Sequence, residues 1–585
     1  MRLQRLSQRT APTAALHFPG LSPLAQRILA ARGLSGPADS LTLDHLLPPD
    51  SLRGINEAAS LLLSVIQQGG RILVVGDYDV DGATATALMV DCLGRHFGAN
   101  IDFFIPNRFV HGYGLSPAIV ADIAQSPDGI PDLLITVDNG IASNAGIRAA
   151  HALDIKVLVT DHHLPGDEPC IADVVVNPNQ PDCAFPSKVA CGCTVAFYVL
   201  SVLRQQSVEW VAEQGLPPVR LGDYLDLVAL ATVADVVPLD GNNRILVEQG
   251  LRRLRRGVAR PGVLALLQAA GRDPRQLSSQ DFGFVLGPRL NAAGRMDDMT
   301  VGVACLLTQD AEEAAELAAL LEDHNQARKR VQSTMVDAAQ QQLLSSVNNL
   351  ALEEDQQLLV VWDEHWHEGV VGLVAGRLKE RWHKPAIALC PSLEQSSHGL
   401  LYKGSARSIP GVHIRDLLAW VQAQHPDIMV RFGGHAMAAG LTLYADKLAA
   451  FQAALQDAMR AMVDPEVLVP ELQHDGALTA AEISLLQAEE LTQLGPWGQG
   501  CPVPLFVNRF QVHQHRWLGG KHLKLSVSID GLLEPIDAIW FFCPWPPEQH
   551  PPSDIHLAYE LSVNEFRGQR TVQLLIKTDI DAALF

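Results

Sequence analysis

Residues 71–82 read Arg-Ile-Leu-Val-Val-Gly-Asp-Tyr-Asp-Val-Asp-Gly. An apolar run of strand length, Arg71–Val75, gives way at Gly76 to Asp77, Asp79 and Asp81, and small residues follow from Ala83 to Ala87. A strand, an acidic turn and a helix able to pack close to a sheet begin a doubly wound α/β unit. The pattern recurs twice: Leu133–Val137 leads into Asp138-Asn139-Gly140, and Lys156–Thr160 leads into Asp161-His162-His163. With Ile101–Ile105 and Val174–Val176 as further strands, residues 55–240 predict a parallel sheet. Such a sheet brings the carboxyl ends of its strands to one edge, so these carboxylates and imidazoles converge there.

Each motif alone has a plain use. An Asp triplet beside a helix N-terminus caps it and complements its dipole, and Asp138-Asn139-Gly140 passes as a turn. Adjacent histidines after a buried strand are costlier to explain, and three such motifs at three strand ends argue for a shared cluster of cations. On an extended backbone Asp79 points away from Asp77 and Asp81; a turn into the helix at Gly82 turns Asp79 and Asp81 toward one cavity. Asp235 is the lone charge in Leu230–Pro238, and a buried carboxylate there must face a cation or an arginine. Oxygen donors with one imidazole suit two divalent cations, Mn²⁺ or Mg²⁺, the imidazole favouring Mn²⁺. No cysteine belongs to the set, which argues against zinc. Two such cations activate water against a phosphate ester.

Composition bounds the rest. The chain has 585 residues, 48% hydrophobic and 19% charged, which predicts three or four globular domains. No apolar run approaches the ~18–20 residues that span a bilayer, and the N-terminus lacks a signal-peptide pattern. Nine cysteines form no CxxC, so a reduced, cytoplasmic protein is expected. The net charge of −21 argues against coating by nucleic acid over the whole surface. Local basic clusters remain: five arginines and no acid in residues 251–260, and Arg328-Lys329-Arg330. No G-x-G-x-x-G follows the first strand, which excludes a dinucleotide-binding fold.

Residues 1–50 read as an N-terminal arm with a short helix from Ser22 to Ala31, and 51–308 as the catalytic unit. Residues 309–350 lack glycine and proline and repeat apolar residues at helical spacing, predicting one long connecting helix. A break would fall near Asn325, and a two-helix hairpin is the alternative. A second, smaller α/β unit spans 351–462, with Leu358–Trp362 and Pro385–Leu389 as strands. In 463–585, Leu523, Leu525, Val527 and Ile529 alternate with polar residues, and Leu557–Val563 and Thr571–Ile576 read as strands. Periodicity leaves a small antiparallel barrel or sandwich open; an oligonucleotide-binding (OB-like) barrel is the version of interest.

Asp161-His162-His163, with Asp77–Gly82, Gly433-Gly434-His435 and Gly287-Pro288-Arg289-Leu290-Asn291-Ala292-Ala293-Gly294-Arg295-Met296, resembles the DHH phosphoesterase family. Within that family the likeness is to its single-strand-specific 5′→3′ DNA exonucleases, and it covers about 50–585. The resemblance implies a DHH domain, a DHHA1-type second domain and a C-terminal DNA-binding barrel. It implies Asp79, Asp81, Asp138, His162 and Asp235 as metal ligands with Asp138 a bridge, and Asp77 as either a ligand or an orienter. His163 then holds a ligand or stabilises charge on the scissile phosphate. Arg289, Ser405 and Arg407 would hold a 5′-terminal phosphate, and Arg108 the strand near the cut.

The residues support part of this independently. Ser405, Arg407 and Ser408 follow Gly404 in what reads as a tight loop, offering hydroxyls and a guanidinium fork to a phosphate. Gly433 and Gly434 free the backbone for close approach, and His435 adds a donor. Arg289 and Asn291 lie in a Gly-Pro-bounded loop. Tyr113, between two glycines, either stacks on a base or packs locally. The expected function is degradation of single-stranded DNA to 5′-mononucleotides in repair and recombination. The expected form is a monomer working with a single-strand-binding protein and a helicase. A polyphosphatase or small-nucleotide phosphodiesterase, and a metal-free scaffold, are the competing expectations; the arginines of 251–260 and the β-domain favour a polymer with bases.

Overall fold

The computed structural model describes residues 5–10, 18–34, 36–37, 40–345, 356–392, 399–566 and 568–583. In the N-terminal arm, β1 (Arg5–Gln8) runs parallel to the distant segment Glu471–His474. The helix Pro23–Ala31 is capped by the Ser22 side chain, and Arg32 forms a buried ion pair with Asp475 at 2.6 Å. The arm is therefore folded onto the C-terminal region.

The catalytic sheet contains β2 (Arg71–Gly76), β3 (Asn100–Phe104), β4 (Leu133–Val137), β5 (Lys156–Thr160) and β6 (Val174–Val176). All pairings are parallel and the order is β3-β2-β4-β5-β6. Alternate residues of β2 serve opposite faces: Ile72 and Val74 meet the helices Val80–Phe97 and Gly192–Gln206, and Leu73 and Val75 meet Pro117–Ala124 and Asn144–His151. Strand order reverses between β2 and β4, where an open α/β sheet leaves a crevice at its carboxyl edge.

A single helix, Ala311–Ser345, leaves this unit. It is unbroken at Asn325, so neither the break nor the hairpin is present; residues 346–350 lie outside the described residues. Its first half buries Ala318 and Leu321 in the catalytic core, and its second half buries Met335, Ala339 and Leu343 in the core of the second lobe. One rigid rod thereby sets the spacing of the lobes.

The second lobe is a mixed sheet of β7 (Leu359–Trp362), β8 (Ala386–Pro391), β9 (Leu401–Arg407), β10 (Met429–Gly434) and β11 (Ala438–Tyr444), ordered β10-β11-β9-β8-β7. The expected Gly-started loop is in fact β9, so Ser405 and Arg407 stand on a strand that pairs on both sides. Beyond β12 (Glu471–His474) the chain forms a closed barrel of β13 (Phe506–Leu518), β14 (His522–Ser528), β15 (Ile536–Trp540), β16 (Asp554–Phe566) and β17 (Gln569–Asp579). Its order, β13-β14-β15-β17-β16, is that of an OB fold, with β15 and β17 parallel. The barrel shares one continuous apolar core with the catalytic unit, and the buried Arg244 donates to the Leu494 carbonyl at 3.0 Å.

Candidate metal centre and substrate cleft

The helix after β2 begins at Val80, two residues earlier than expected, because Asp79 caps it by accepting from the Gly82 amide. Gly82 is required there: a Cβ would lie 2.4 Å from the Asp77 carbonyl oxygen. Asp81 enters the first helical turn fully buried and accepts from the Gly192 and Cys193 amides at 2.6 and 2.8 Å. A second helix N-terminus thus fixes it. Asp138 follows β4 with φ +61°, which aims its carboxylate into the crevice. Asp235 closes the helix Leu225–Ala234, and the next residue, Val236, has φ +59°. A β-branched residue in the left-handed region is strained, and here the strain borders the cluster.

These groups meet at one imidazole nitrogen. His162 Nε2 lies 3.1 Å from Asp138, 3.5 Å from Asp235 and 3.7 Å from Asp81. That nitrogen, one Asp138 oxygen and one Asp235 oxygen are buried without hydrogen-bond partners. Two donor sets, Asp81-His162-Asp235 and Asp77-Asp79-Asp138, each gather ligating atoms within 4.8 Å, and Asp138 also groups with His162 and His163. Asp138 therefore touches both halves. Burial and mutual repulsion raise Asp138 and Asp235 well above the usual carboxylate range, and Asp77 to about 8. Burial lowers His162. A neutral imidazole among crowded, orphaned carboxylates fits divalent cations: oxygen donors dominate and no thiol is present.

Asp161 takes another part. Its carboxylate accepts from the amides of Ile141, His162 and His163 and from His163 Nδ1 at 2.8 Å. Burial opposes ionisation, yet the bond to His163 holds Asp161 below its ordinary range, and the same bond overcomes burial to raise His163 to about 9. His163 is thus a cation at the cleft. The Tyr113 hydroxyl lies 3.3 Å from its ring, and Tyr113 leaves much of its own ring exposed. Arg108 stacks over Tyr78 at 4.2 Å with its Nε unpartnered.

The second lobe faces this edge. His435 stacks on His163 with centroids 6.2 Å apart, presented by Gly434 at φ +139° beside Gly433, where space is open. Arg407 donates to Ser405 Oγ and to the Ala406 carbonyl, both at 2.8 Å. Ser408 does not join them: its buried hydroxyl donates to the Val412 carbonyl.

The stretch Gly287–Met296 is a helix, not a loop, because proline is tolerated in a first turn. Helical spacing separates its arginines. Arg289 is buried, paired with Glu322 at 2.6 Å and donating to the Val285 carbonyl. Arg295, which the sequence reading did not select, stands with Asn291 on the cleft face and feels Arg108 and Arg407 as neighbouring charges. The i, i+4 spacing of Asn291 and Arg295 would have shown this had the stretch been read as a helix. The 251–260 cluster also differs from expectation. Arg252 and Arg255 pair with Glu248, Arg253 with Asp223 and the buried Arg260 with Asp226. Four of its five arginines are thus paired with acids, and Arg256 is exposed.

A further surface was missed. The barrel tip joins 515–524, which contains Arg516, Lys521 and Lys524, the last paired with Asp537 at 2.6 Å, to Phe541 and Phe542. These rings are 53% and 75% exposed and contact His522.

Comparison with known proteins agrees along the whole chain. The model of the DHH family N-terminal domain matches residues 71–232, that of the DHHA1 domain 355–461, and that of the RecJ OB domain 474–578. The single-stranded-DNA-specific exonuclease RecJ of Salmonella typhimurium is 45% identical over 98% of this chain and 99% of its own length. The chain belongs to the RecJ family. RecJ of Escherichia coli is likewise 45% identical, over 95% of each chain. Among solved structures, RecJ in complex with Mn²⁺ from Thermus thermophilus is 30% identical with a TM-score of 0.78, covering 98% of this chain and 79% of that one. The Mg²⁺ complex of RecJ from the same organism gives 0.73 at 29% identity over 98% of this chain and 78% of that one.

Proposed function

We propose that the chain is a metal-dependent exonuclease that degrades single-stranded DNA from its 5′ end to 5′-mononucleotides. One observation carries the reading. A buried set of orphaned carboxylate and imidazole atoms faces, across a cleft between lobes, Arg108, Arg295 and Arg407, which form no ion pair among the described residues. Asp79, Asp81, Asp138, His162 and Asp235, together with the adjoining Asp77, would hold two cations, Mn²⁺ or Mg²⁺. Once bound, they supply the Lewis acidity that activates water and stabilises the departing oxygen.

The side chains do the rest. Asp161 holds His163 charged, so that His163 and Arg108 offset charge on the scissile phosphate. Ser405 and Arg407, with Arg295 in the place expected of Arg289, grip the 5′-terminal phosphate and set the register of the cut. Tyr113 borders the first base. The barrel tip holds the strand downstream through stacking and charge.

The protein acts as a monomer in the cytoplasm, in DNA repair and recombination, on strands supplied by a helicase and covered by single-strand-binding protein. No helix of the described residues is long and apolar enough to cross a membrane. The decisive experiment is digestion of 5′- and 3′-labelled oligonucleotides, single-stranded and duplex, with Mn²⁺, Mg²⁺ or EDTA. Prompt release of the 5′ label as mononucleotide, only from single strands and only with metal, is expected. Release from the 3′ end, or cleavage of polyphosphate instead, would refute the reading.

A further inference from the structure

The two donor sets of the metal centre are held by different means. Asp77 accepts from the Tyr78 amide and Asp79 from the Gly82 amide, so each is fixed by its own stretch of chain. Asp81, His162 and Asp235 come from three distant stretches, and one further segment ties to all three. It runs from Asn177 to Cys193, out of β6 and into the helix Gly192–Gln206. As far as Cys191 it contains neither helix nor strand. So long an irregular stretch inside a compact domain is uncommon and is usually functional.

Its contacts follow in chain order. Asn177, fully buried, donates through Nδ2 to the His163 carbonyl at 2.9 Å. Its Oδ1 accepts from the Asn179 amide at 2.7 Å, and Asn179 Nδ2 donates to the His162 carbonyl at 2.6 Å. Asp161 already takes the amides of both histidines, so the His162-His163 backbone is gripped on its N–H and C=O sides alike. Lys188 Nζ closes the loop by donating to the Pro178 and Cys183 carbonyls, both at 2.6 Å. Beyond it, Asn243 Nδ2 joins the Val189 carbonyl at 2.8 Å to the Pro238 carbonyl at 2.9 Å, just past Asp235. Cys191 Sγ meets Thr232 Oγ1 at 3.7 Å, on the helix that Asp235 closes. The Gly192 and Cys193 amides end the series on the two oxygens of Asp81.

We propose that Asn177, Asn179 and Asn243 are positioning residues for one cation site, that of Asp81, His162 and Asp235, and not for that of Asp77, Asp79 and Asp138. These roles rest on the two-cation reading of the centre and not on the identity of the substrate. A shift of the His162 backbone carries its ring with it, and a ligating nitrogen tolerates only ~0.5 Å of displacement. Removing a bond that orients a metal-binding side chain costs ~10–100-fold in affinity. Here the bonds come from neutral amides, which hold the backbone without adding charge to the centre.

The test is calorimetric titration of the metal-free full chain with Mn²⁺, which needs no DNA. Asp235→Asn marks the step of the isotherm that belongs to the first set, and Asp77→Asn the step that belongs to the second. Asn179 is only partly buried, so Asn179→Ala should keep the native Tm in EDTA. It should weaken the step marked by Asp235→Asn by ~10–100-fold and leave the other within about threefold. Asn179→Gln, which keeps the amide, should recover part of that loss, and Asn243→Ala should act on the same step. Gln180→Ala, on the same segment but bonding the Arg53 and Val175 carbonyls, should change neither. If Asn179→Ala melts early in EDTA, Asn179→Ser is read by the same criteria. In digestion assays, Asn179→Ala should need more Mn²⁺ for half-maximal rate while KM for DNA holds. Equal weakening of both steps, an effect confined to the step marked by Asp77→Asn, or no change in either would overturn the proposal. A native chain that takes up fewer than two Mn²⁺ would refute the two-cation reading and these roles with it. Two ions bound as stated with no DNA degraded would refute the nuclease reading alone.

Discussion

Gly372 offers the sharpest test of the terminal-phosphate grip, because replacing it should strengthen the fold and weaken the site. It lies inside the helix Glu368–Trp382, where alanine is favoured over glycine by ~1 kcal/mol. A Cβ built there would stand 2.9 Å from Arg407 Nη2 and 3.0 Å from Ser405 Oγ. Those contacts are too short, so the guanidinium must give way by a few tenths of an ångström. It is held by two bonds of 2.8 Å, to Ser405 Oγ and the Ala406 carbonyl. Losing one hydrogen bond to a charged group costs ~1.5–3 kcal/mol. At ~1.4 kcal/mol per tenfold, that is a tenfold to hundredfold loss of preference for a phosphorylated 5′ end. The assay compares kcat/KM of Gly372→Ala and native protein on 5′-phosphorylated and 5′-hydroxyl oligonucleotides, with thermal melts of both in Mn²⁺. Stability should hold or rise while the preference collapses. An undiminished preference with an undiminished Tm would show that Ser405 and Arg407 do not hold the terminal phosphate.

Two further outcomes are expected. Burial, then repulsion from Asp79, raises Asp77 from 3.8 to about 8. A carboxyl raised in the fold contributes stability that is complete below its unfolded pKa and is lost as pH climbs through the folded one. Metal-free protein should therefore lose stability between pH 5 and 8, by up to ~1.4 kcal/mol per pH unit for this group, and the Tm gain from Mn²⁺ should grow with pH; melts in EDTA and Mn²⁺ at both values check this, and a pH-independent gain would contradict it. At the barrel, Phe542→Ala should cost ~1–3 kcal/mol of binding to a long single strand with little change on a trinucleotide, and equal losses on both, by fluorescence anisotropy, would remove the tip from the strand's path.

The catalytic sheet was legible because its central strands β2, β4 and β5 are buried on both faces and the motifs sit at the end of each. β4, β5 and β6 fall on the predicted residues, and β3 is displaced by one. Parallel pairing then turns three separate stretches into one edge, so the residues grouped by sequence are the ones that meet. What stayed hidden was the pairing of charges. Nothing local tells that Asp223 and Asp226 will neutralise Arg253 and Arg260, or that Glu322 will claim Arg289. The loop reading of Gly404–Ser408 failed for the related reason that a strand short of β-branched residues is held by its neighbours, β8 and β11, not by its own propensity.

This accounts for the puzzle of a strongly acidic protein built to handle a polyanion. Net charge describes the surface, but a cleft responds to the cations left over after internal pairing. Most arginines that looked available in sequence are spent on acids. Arg108, Arg295, Arg328 and Arg407 are not: among the described residues their partners are an aromatic ring, backbone carbonyls, amides and a hydroxyl. These four line the gap between two lobes whose separation one helix fixes. A net charge of −21 then disfavours DNA contacts away from these cations, so the acidic balance sharpens selection for a strand that reaches the cleft instead of opposing it.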